Sequence, residues 1–503
     1  MDAITAEPFE FRINPRPVLV AGRVLILTWL ADFLFWGAVP GVSIGLFGGI
    51  IGALLLGERL EARPASFGVM LRAALLLLAC VQSAIEVSFT NITVIGVLLL
   101  ILAGDTFYPG LGGTWSRVSE AAWSLLCAPF RWMSLFRAVA ASPVTTSASG
   151  MVTGAIVGRL LRIVLPAAVL AGVFSVVLSY GNAVLDFAFV RVFTRLSDWL
   201  LHIDLSLGRG FCWLAFGTLA LGIFWPARAR QAIRWWRKEV PRWQRRDRVE
   251  ALWQSGLILA LLNVLFFGVN TIDVLYLWQH GALPSDVSFS QYVHEGVYGL
   301  VGAVLLSAAL LTVLFQQNEE LTRSRWLKGL ALLWIAQNLI LIAGVVLRLK
   351  LYVDAYQLSE LRVYVGAFLL LITCGFILLG WHVARGTRLG TLLLGNGRAA
   401  FCLFFVLQFL DVAGWVANYN VQRWELEPSR TLDLHYLAQL GPGAWPALQK
   451  VTKNPRDPAL SAAASVIMET IIKEQRTRLA RFDWRTWQAR RDNAAQAIVL
   501  TPR

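Results

Sequence analysis

The chain has 503 residues, of which 57% are hydrophobic and only 15% charged, and its mean hydropathy is +0.61. A soluble globular chain carries about 25% charged residues, so an ordinary water-soluble fold is excluded and lipid is the expected solvent for most of the chain. The formal net charge is +14; the cations flank apolar runs, which marks them as determinants of membrane topology rather than a nucleic-acid surface.

Residues 1–18 are polar, with Asp2, Glu7 and Glu10, and lack a basic leader and a nearby small-residue cleavage site. They read as a cytoplasmic segment, and the first apolar run as a signal anchor. A helix needs about twenty apolar residues to cross the hydrocarbon. Eleven runs approach that length: 19–38, 41–57, 67–86, 91–107, 162–183, 209–226, 252–270, 295–316, 329–347, 363–383 and 399–419. Only Val39-Pro40-Gly41 separates the first two, which leaves open two crossings or one re-entrant pair. The expected fold is all-α: a polytopic transmembrane bundle of about 11 spans, with surface amphipathic helices and a small helical C-terminal tail.

With the N-terminus inside, the inward segments hold 23 Lys and Arg and the outward loops five. The positive-inside rule therefore places the N-terminus in the cytoplasm of a bacterial inner-membrane protein and the tail in the periplasm. The expected organisation is 19–107, four spans; 108–161, a cytoplasmic amphipathic loop; 162–226, two spans with an outer interfacial helix at 191–207; 227–251, a basic cytoplasmic loop; 252–420, five spans; and 421–503, the tail. In the first loop Trp115, Val118, Ala122, Leu126 and Phe130 recur at helical spacing, as in a helix lying on the membrane. In the second, nine cations within 228–248 alternate with Trp235, Trp236 and Trp243. Basic and aromatic residues together also suit single-stranded nucleic acid, but between two spans they describe an anchor on anionic lipid headgroups; no nucleic-acid partner is expected. In the tail, 442–458 reads as a Pro-rich connector, and Asp457-Pro458 opens a helix over 458–481.

No motif carries recognised chemistry. Gly41-Val42-Ser43-Ile44-Gly45 matches a hydrolase elbow, but that elbow needs a preceding strand. The glycines at 41, 45 and 49, and at 48 and 52, read better as close helix packing. Gly395-Asn396-Gly397 reads as a loop turn. The five cysteines form no CxxC pair and the five histidines no i, i+4 pair, so no disulfide, metal or cofactor is expected.

Polar groups inside spans are costly in lipid and mark function by default. Arg23, Asp32, Glu86, Gln337, Asn338 and Asp411 fall within spans. Asn270, Asp273, Tyr292, His294, Glu295, Arg348, Tyr352, Tyr356, Arg362, Asn418 and Asn420 fall near span ends expected to face the same side. The second set could line one periplasmic polar pocket, or each member could snorkel or cap a helix. Asp273, Arg348 and Tyr352 are expected to face one another.

Several stretches resemble a bacterial membrane family catalogued as domain of unknown function 4173, close to the 4153 group. They are FLFWGAVPGVSIGLF (33–47), the run at 263–306, RLKLYVDAYQLSELRV (348–363), ANYNV (417–421), LDLHYLAQLG (432–441) and DWRTW (483–487). The resemblance places Asp273, Tyr292, Gly296, Arg348, Tyr352, Tyr356, Arg362, Asn420, Asp433 and Tyr436 on the family pattern, while Glu295 departs from it. It implies a multi-pass inner-membrane protein and supplies no chemistry. Three functional classes stay open. A scaffold, accessory or signalling component would bind a protein partner through the basic loop or tail. A transporter or channel for a small solute or lipid would use Asp32, Glu86 and Asp411. An enzyme on a lipid-linked substrate would use His294 or Glu295 as base, with Arg348 on a phosphate. The first is the leading expectation, with no catalytic residues assigned.

Overall fold

The computed structural model describes residues 16–64, 66–111, 113–141, 206–226, 248–278, 300–311, 324–387, 389–427 and 430–500. The helices are α1 (Arg16–Phe35), α2 (Val42–Ala62), α3 (Phe67–Ile85), α4 (Phe89–Phe107), α5 (Thr114–Cys127), α6 (Trp132–Ala141), α7 (Leu207–Phe224), α8 (Arg248–Asp273), α9 (Leu300–Leu311), α10 (Arg325–Tyr356), α11 (Glu360–Arg385), α12 (Leu389–Leu407), α13 (Val412–Leu426), α14 (Leu434–Gln439), α15 (Trp445–Thr452), α16 (Pro458–Ala480) and α17 (Ala489–Leu500). Among the described residues there is no strand.

Eight of these helices, α1–α4, α8 and α10–α12, are long and apolar enough to cross a membrane, and α7 and α9 are shorter apolar helices. Their outward faces are aliphatic and aromatic: Leu25, Trp29, Leu261, Val264 and Phe267 are all more than half exposed. A helix that shows such side chains outward has lipid as its solvent. The protein is a multi-pass membrane protein. The expected span at 162–183, both ends of that at 295–316, and nearly all of the interfacial helix at 191–207 and of the basic stretch at 228–248 lie outside the described residues.

The described residues form two compact units. One holds the chain up to Val81, Ile95–Val240 and Asp483–Thr486; the other holds Gln82–Val94, Pro241–Phe482 and Trp487–Arg503. In the first unit α1 and α2 are separate helices of 20 and 21 residues, each about 30 Å long at 1.5 Å per residue. That is enough for two full crossings. The chain turns between them through Gly37, whose φ of 72° suits a residue without a Cβ. Gly48 and Gly52 do the close packing: a Cβ at Gly52 would stand 2.4 Å from Leu76, and one at Gly48 2.8 Å from Ile95, while Gly49 faces open space. The 48/52 pair of the expected glycine rows therefore makes tight contacts. Ser43 is buried at the start of α2, and its Oγ accepts from the Gly41 N–H at 3.3 Å; a turn, not a strand, precedes it.

The loop read as one amphipathic helix is two. Pro129 sits in a 3-10 turn, Ala128–Phe130, between α5 and α6, because proline removes a helical donor. Trp115, Leu126 and Phe130 are exposed, whereas Glu120 and Ser124 face the protein. Ser124 donates to the Gly222 carbonyl of α7 at 2.8 Å. Arg117 and Arg72 both bind the buried Asp105.

In the second unit a core of Leu259, Phe266, Trp334, Leu341, Val345, Ile372 and Phe376 joins α8, α10 and α11. Three expectations fail here. The run 399–419 is not one span: the helix stops at Leu407, turns through 408–410, and restarts at Val412 under the N-cap Asp411. Hydropathy runs through the break, but the Asp411 side chain accepting from the Gly414 N–H at 2.9 Å ends the continuity. Gly395-Asn396-Gly397 is not a turn but the middle of α12. Gly375 of α11 and Gly395 let the two helices approach, and a Cβ at Gly375 would stand 3.2 Å from Asn396 Oδ1. Arg398, counted as a loop cation, is therefore helical. The stretch 442–458, expected as a connector, carries α15, with Trp445, Ala447, Leu448 and Val451 buried. α13–α17 share a second core built from Val416, Val421, Trp424, Leu437, Met468 and Ile498. α16 starts at Pro458 with Asp457 as its cap.

Candidate functional site

On α8, Asn263, Asn270 and Asp273 are spaced seven and three residues apart, which puts them on one helical face. That face meets α10. Asn263 Nδ2 donates to the Leu330 carbonyl at 3.0 Å, Gln337 Nε2 donates to Asn263 Oδ1 at 3.1 Å, and Asn270 Nδ2 donates to the Gln337 carbonyl at 3.1 Å. The seam ends in an ion pair. Arg348 donates through Nη2 to Asp273 Oδ1 at 2.6 Å and through Nη1 to Oδ2 at 2.9 Å. Arg348 is 2% exposed and Asp273 4%. The parallel two-bond geometry suits guanidinium and carboxylate. Gly344 makes room for it: a Cβ there would stand 2.9 Å from Asp273 Oδ2. Directly after Asp273 the chain widens into a π turn, Val274–Trp278.

Arg348, Tyr352 and Tyr356 recur every four residues and so share one face of α10. The two tyrosine rings are 4.8 Å apart, and the Arg362 guanidinium lies 4.2 Å over Tyr352. α10 has 32 residues, about 48 Å against a hydrocarbon thickness of about 30 Å. One or both of its ends stand beyond the hydrocarbon; both carry charge, Arg325 and Lys328 at one and Arg348, Lys350 and Asp354 at the other.

At that end a groove of about 670 Å³ opens, lined by Asp354, Tyr356, Arg362, Glu427, Arg430 and Tyr436 among others. Its rim is the turn from α10 to α11. Gln357 holds φ at 71° there, the described residue other than glycine with positive φ, a conformation costing about 1–3 kcal/mol unless its surroundings fix it. They do so. Arg362 Nη1 donates to the carbonyls of Tyr356 and Gln357, and Gln357 Nε2 donates to the Thr431 carbonyl. Beneath, the buried Asn420 accepts from the Leu358 N–H at 2.9 Å and donates to its carbonyl at 2.8 Å. The charges of the groove bind one another. Arg430 pairs with Glu427, Arg423 donates to Asp354 Oδ1 at 3.0 Å, and Asp433 accepts from the Tyr436 N–H at 2.9 Å. The hydrogen bond from Arg430 holds the Glu427 carboxyl below its ordinary range. Burial raises the Tyr436 phenol, whose oxygen accepts from the Glu360 N–H at 2.9 Å.

The expected pocket residues thus separate. Asp273 and Arg348 are a closed pair, Tyr352 stacks between them and the groove, and Tyr356 and Arg362 line it. Asn420 is engaged in holding its turn. Asn418 is exposed, donates to the Gly414 carbonyl at 2.8 Å, and does not line the groove. Tyr292, His294 and Glu295 lie outside the described residues. The charged groups expected within spans all have partners. Arg23 pairs with Glu58, Asp32 with Arg209 and the Trp213 indole, and Glu86 with Arg490. Asp411, a helix cap rather than a mid-span charge, lies 3.7 Å from Arg490. Asp354, Glu427 and Arg430 were not foreseen, because they come from segments about seventy residues apart. Among the described residues no group of three His, Cys, Asp or Glu gathers as a metal cluster, and the five cysteines are separate thiols.

The family described as Domain of unknown function (DUF4153) matches residues 69–451. The chain belongs to the DUF4153 family. The match supports the 4153 group, not the 4173 family that the stretches quoted above first suggest. No curated protein and no solved structure matches the chain. Within this DUF4153 protein the matched region contains the Asp273–Arg348 pair and the whole groove, and excludes α1, α2, α16 and α17.

Proposed function

We propose that this DUF4153 protein is a non-catalytic component of the bacterial inner membrane, a scaffold or accessory subunit that works through its C-terminal helices at the periplasmic face. The observation that carries this reading is the packing of α13–α17 around one shared core, which also takes in Leu358 from the turn between α10 and α11, with Leu437, Ala444, Leu448 and Val451 almost fully buried. A packed extramembrane element, joined to the spans through Arg490 and Glu86, presents a fixed surface for a partner. The paired state of Arg23, Asp32, Glu86 and Asp411 supports the same reading, since translocation and acid–base chemistry call for a group that can change partners.

The test is purification of the full chain from native membranes in mild detergent, followed by native mass spectrometry. A stoichiometric protein partner is expected. It should be lost when residues 458–500 are deleted and weakened by Val466→Glu, which alters an exposed position of α16 (65% exposed) and leaves the core intact. A partner that is absent, or retained by both variants, overturns the proposal.

Transport is the second reading, favoured by one observation. Asn270 Oδ1, Gln337 Oε1 and Asn338 Oδ1 are buried and accept no hydrogen bond among the described residues. Buried acceptors of this kind call for water, an ion or a donor ligand. Under this reading Gln337→Leu abolishes solute uptake by proteoliposomes while the fold persists; uptake that is absent in the native protein refutes it.

A further inference from the structure

The groove at 354–362 and 427–436 has a chemistry that the scaffold reading does not use. Its volume of about 670 Å³ lies inside the range of roughly 300–1,000 Å³ typical of ligand sites. A ligand must match what the lining still offers, and three classes fit poorly. A phosphate would need a guanidinium with its donors turned outward, but Arg430 is committed to Glu427 and the Asp354 carbonyl. Arg362 is committed to two carbonyls and to the Tyr352 ring. A small cation would need uncompensated carboxylates, yet Asp354 has Arg423, Glu427 has Arg430, and Asp433 caps α14. An apolar chain would bury Asp354, Glu427, Asp433 and Arg430 against hydrocarbon, which is costly.

What the groove offers is many neutralised donors and acceptors of fixed direction around an exposed aromatic face. Carboxylates keep acceptor lone pairs after one ion pair, and Ser359, Thr431 and Tyr436 add hydroxyls. Tyr356 is 53% exposed and presents a flat apolar ring with a polar tip. Alternating hydroxyl groups on an otherwise C–H-rich ring complement such a surface.

We propose that this groove is a carbohydrate site, taking a neutral polyhydroxylated ligand whose hydroxyls bond the Asp354, Glu427 and Asp433 side chains and whose ring face packs on Tyr356. The proposal places the 348–356 end of α10 outside the hydrocarbon, so that the sugar can arrive as a soluble glycan or as the headgroup of a glycolipid. The inference is independent of the scaffold reading.

The experiment uses the full chain in nanodiscs of phosphatidylethanolamine and phosphatidylglycerol, free of sugar detergents. Maltotriose, lactose and N,N′-diacetylchitobiose are titrated by calorimetry, and digalactosyl diacylglycerol is added to the discs in a thermal-shift arm. Saturable binding of at least one probe is expected. Tyr356→Ala should weaken it at least tenfold, and Tyr356→Trp should retain it, which separates loss of the ring from loss of the fold. Response to the free sugars assigns a soluble glycan; response to the galactolipid alone assigns a headgroup. Silence of all four probes, affinity unchanged in Tyr356→Ala, or tighter binding of inorganic phosphate overturns the proposal. Partner capture that survives Tyr356→Ala keeps this outcome distinct from that of the scaffold test.

Discussion

Removing one member of the Asp273–Arg348 pair should be far worse than removing both. The two side chains are 4% and 2% exposed and joined by bonds of 2.6 and 2.9 Å. Arg348→Met leaves a carboxylate in a site where lipid and packed side chains replace water, and Asp273→Asn leaves a guanidinium there. Breaking a buried pair from one side costs about 3–5 kcal/mol, while exchanging both members for neutral groups of similar volume is often close to neutral. The two single variants should therefore each lose about 3 kcal/mol or more, and the double variant less than about 2 kcal/mol. The assay is a double-mutant cycle read by SDS titration of the purified protein in mixed micelles. A third variant probes the same carboxylate without touching charge: Gly344→Ala places its Cβ 2.9 Å from Asp273 Oδ2 and should cost about 1–3 kcal/mol by overpacking. Single effects that add in the double variant to within about 0.5 kcal/mol would refute the argument, because independent sites add and a closed pair cannot.

Gly222 and Gly210 lie on the same helix with opposite surroundings. A Cβ at Gly222 would meet Leu125 Cα at 3.0 Å, whereas one at Gly210 meets nothing within 4 Å; Gly222→Ala should lower the melting midpoint, and Gly210→Ala should hold or raise it. Acid should release the clasp of residues 483–486 on α1, where Arg485 donates to the Phe33 carbonyl at 2.7 Å. The Arg485 hydrogen bond depresses the Asp483 carboxyl below its ordinary 3.8, so its contribution is full above that value and falls as pH drops through the lower folded one. Proteolysis beside the exposed Arg481 should rise in that window, and Asp483→Asn should remove the pH dependence.

Much of the bundle was legible because lipid imposes one strong rule, an apolar run of fixed length. Where the rule is silent, the reading failed. The run around residues 408–411 is apolar enough to hide a break that only the cap at Asp411, with Gly414 behind it, reveals. Gly395-Asn396-Gly397 has the composition of a turn, but its neighbour α11 supplies the glycine-lined contact that keeps it helical. The contact between Asp273 and Arg348 was anticipated because both fall at span ends expected to face the same side and both lie in the stretches that carry the family resemblance. The groove was not, since five of its twelve lining residues come from 427–436, which composition alone marks only as tail. The identity of partners is what a single sequence hides: nothing in Asp32 points to Arg209, or in Glu86 to Arg490.

Those long separations bear on how the protein is made. The hydrogen bonds between Arg209 and Asp32 join residues 177 positions apart, and that between Arg490 and Glu86 spans 404. At roughly 5–20 residues per second of synthesis, α1 enters the membrane some 10–35 s before the cation for Asp32 exists. An uncompensated carboxylate at a helix centre costs about 2.5–3.5 kcal/mol on insertion; Asp32 is three residues from the end of its helix, where it can reach the headgroups while it waits. Glu86 waits for almost the whole chain. Translation must nearly finish before Glu86, in the turn between α3 and α4, meets its cation, so a chain truncated before Arg490 lacks the pair that ties its C-terminal helices to this turn.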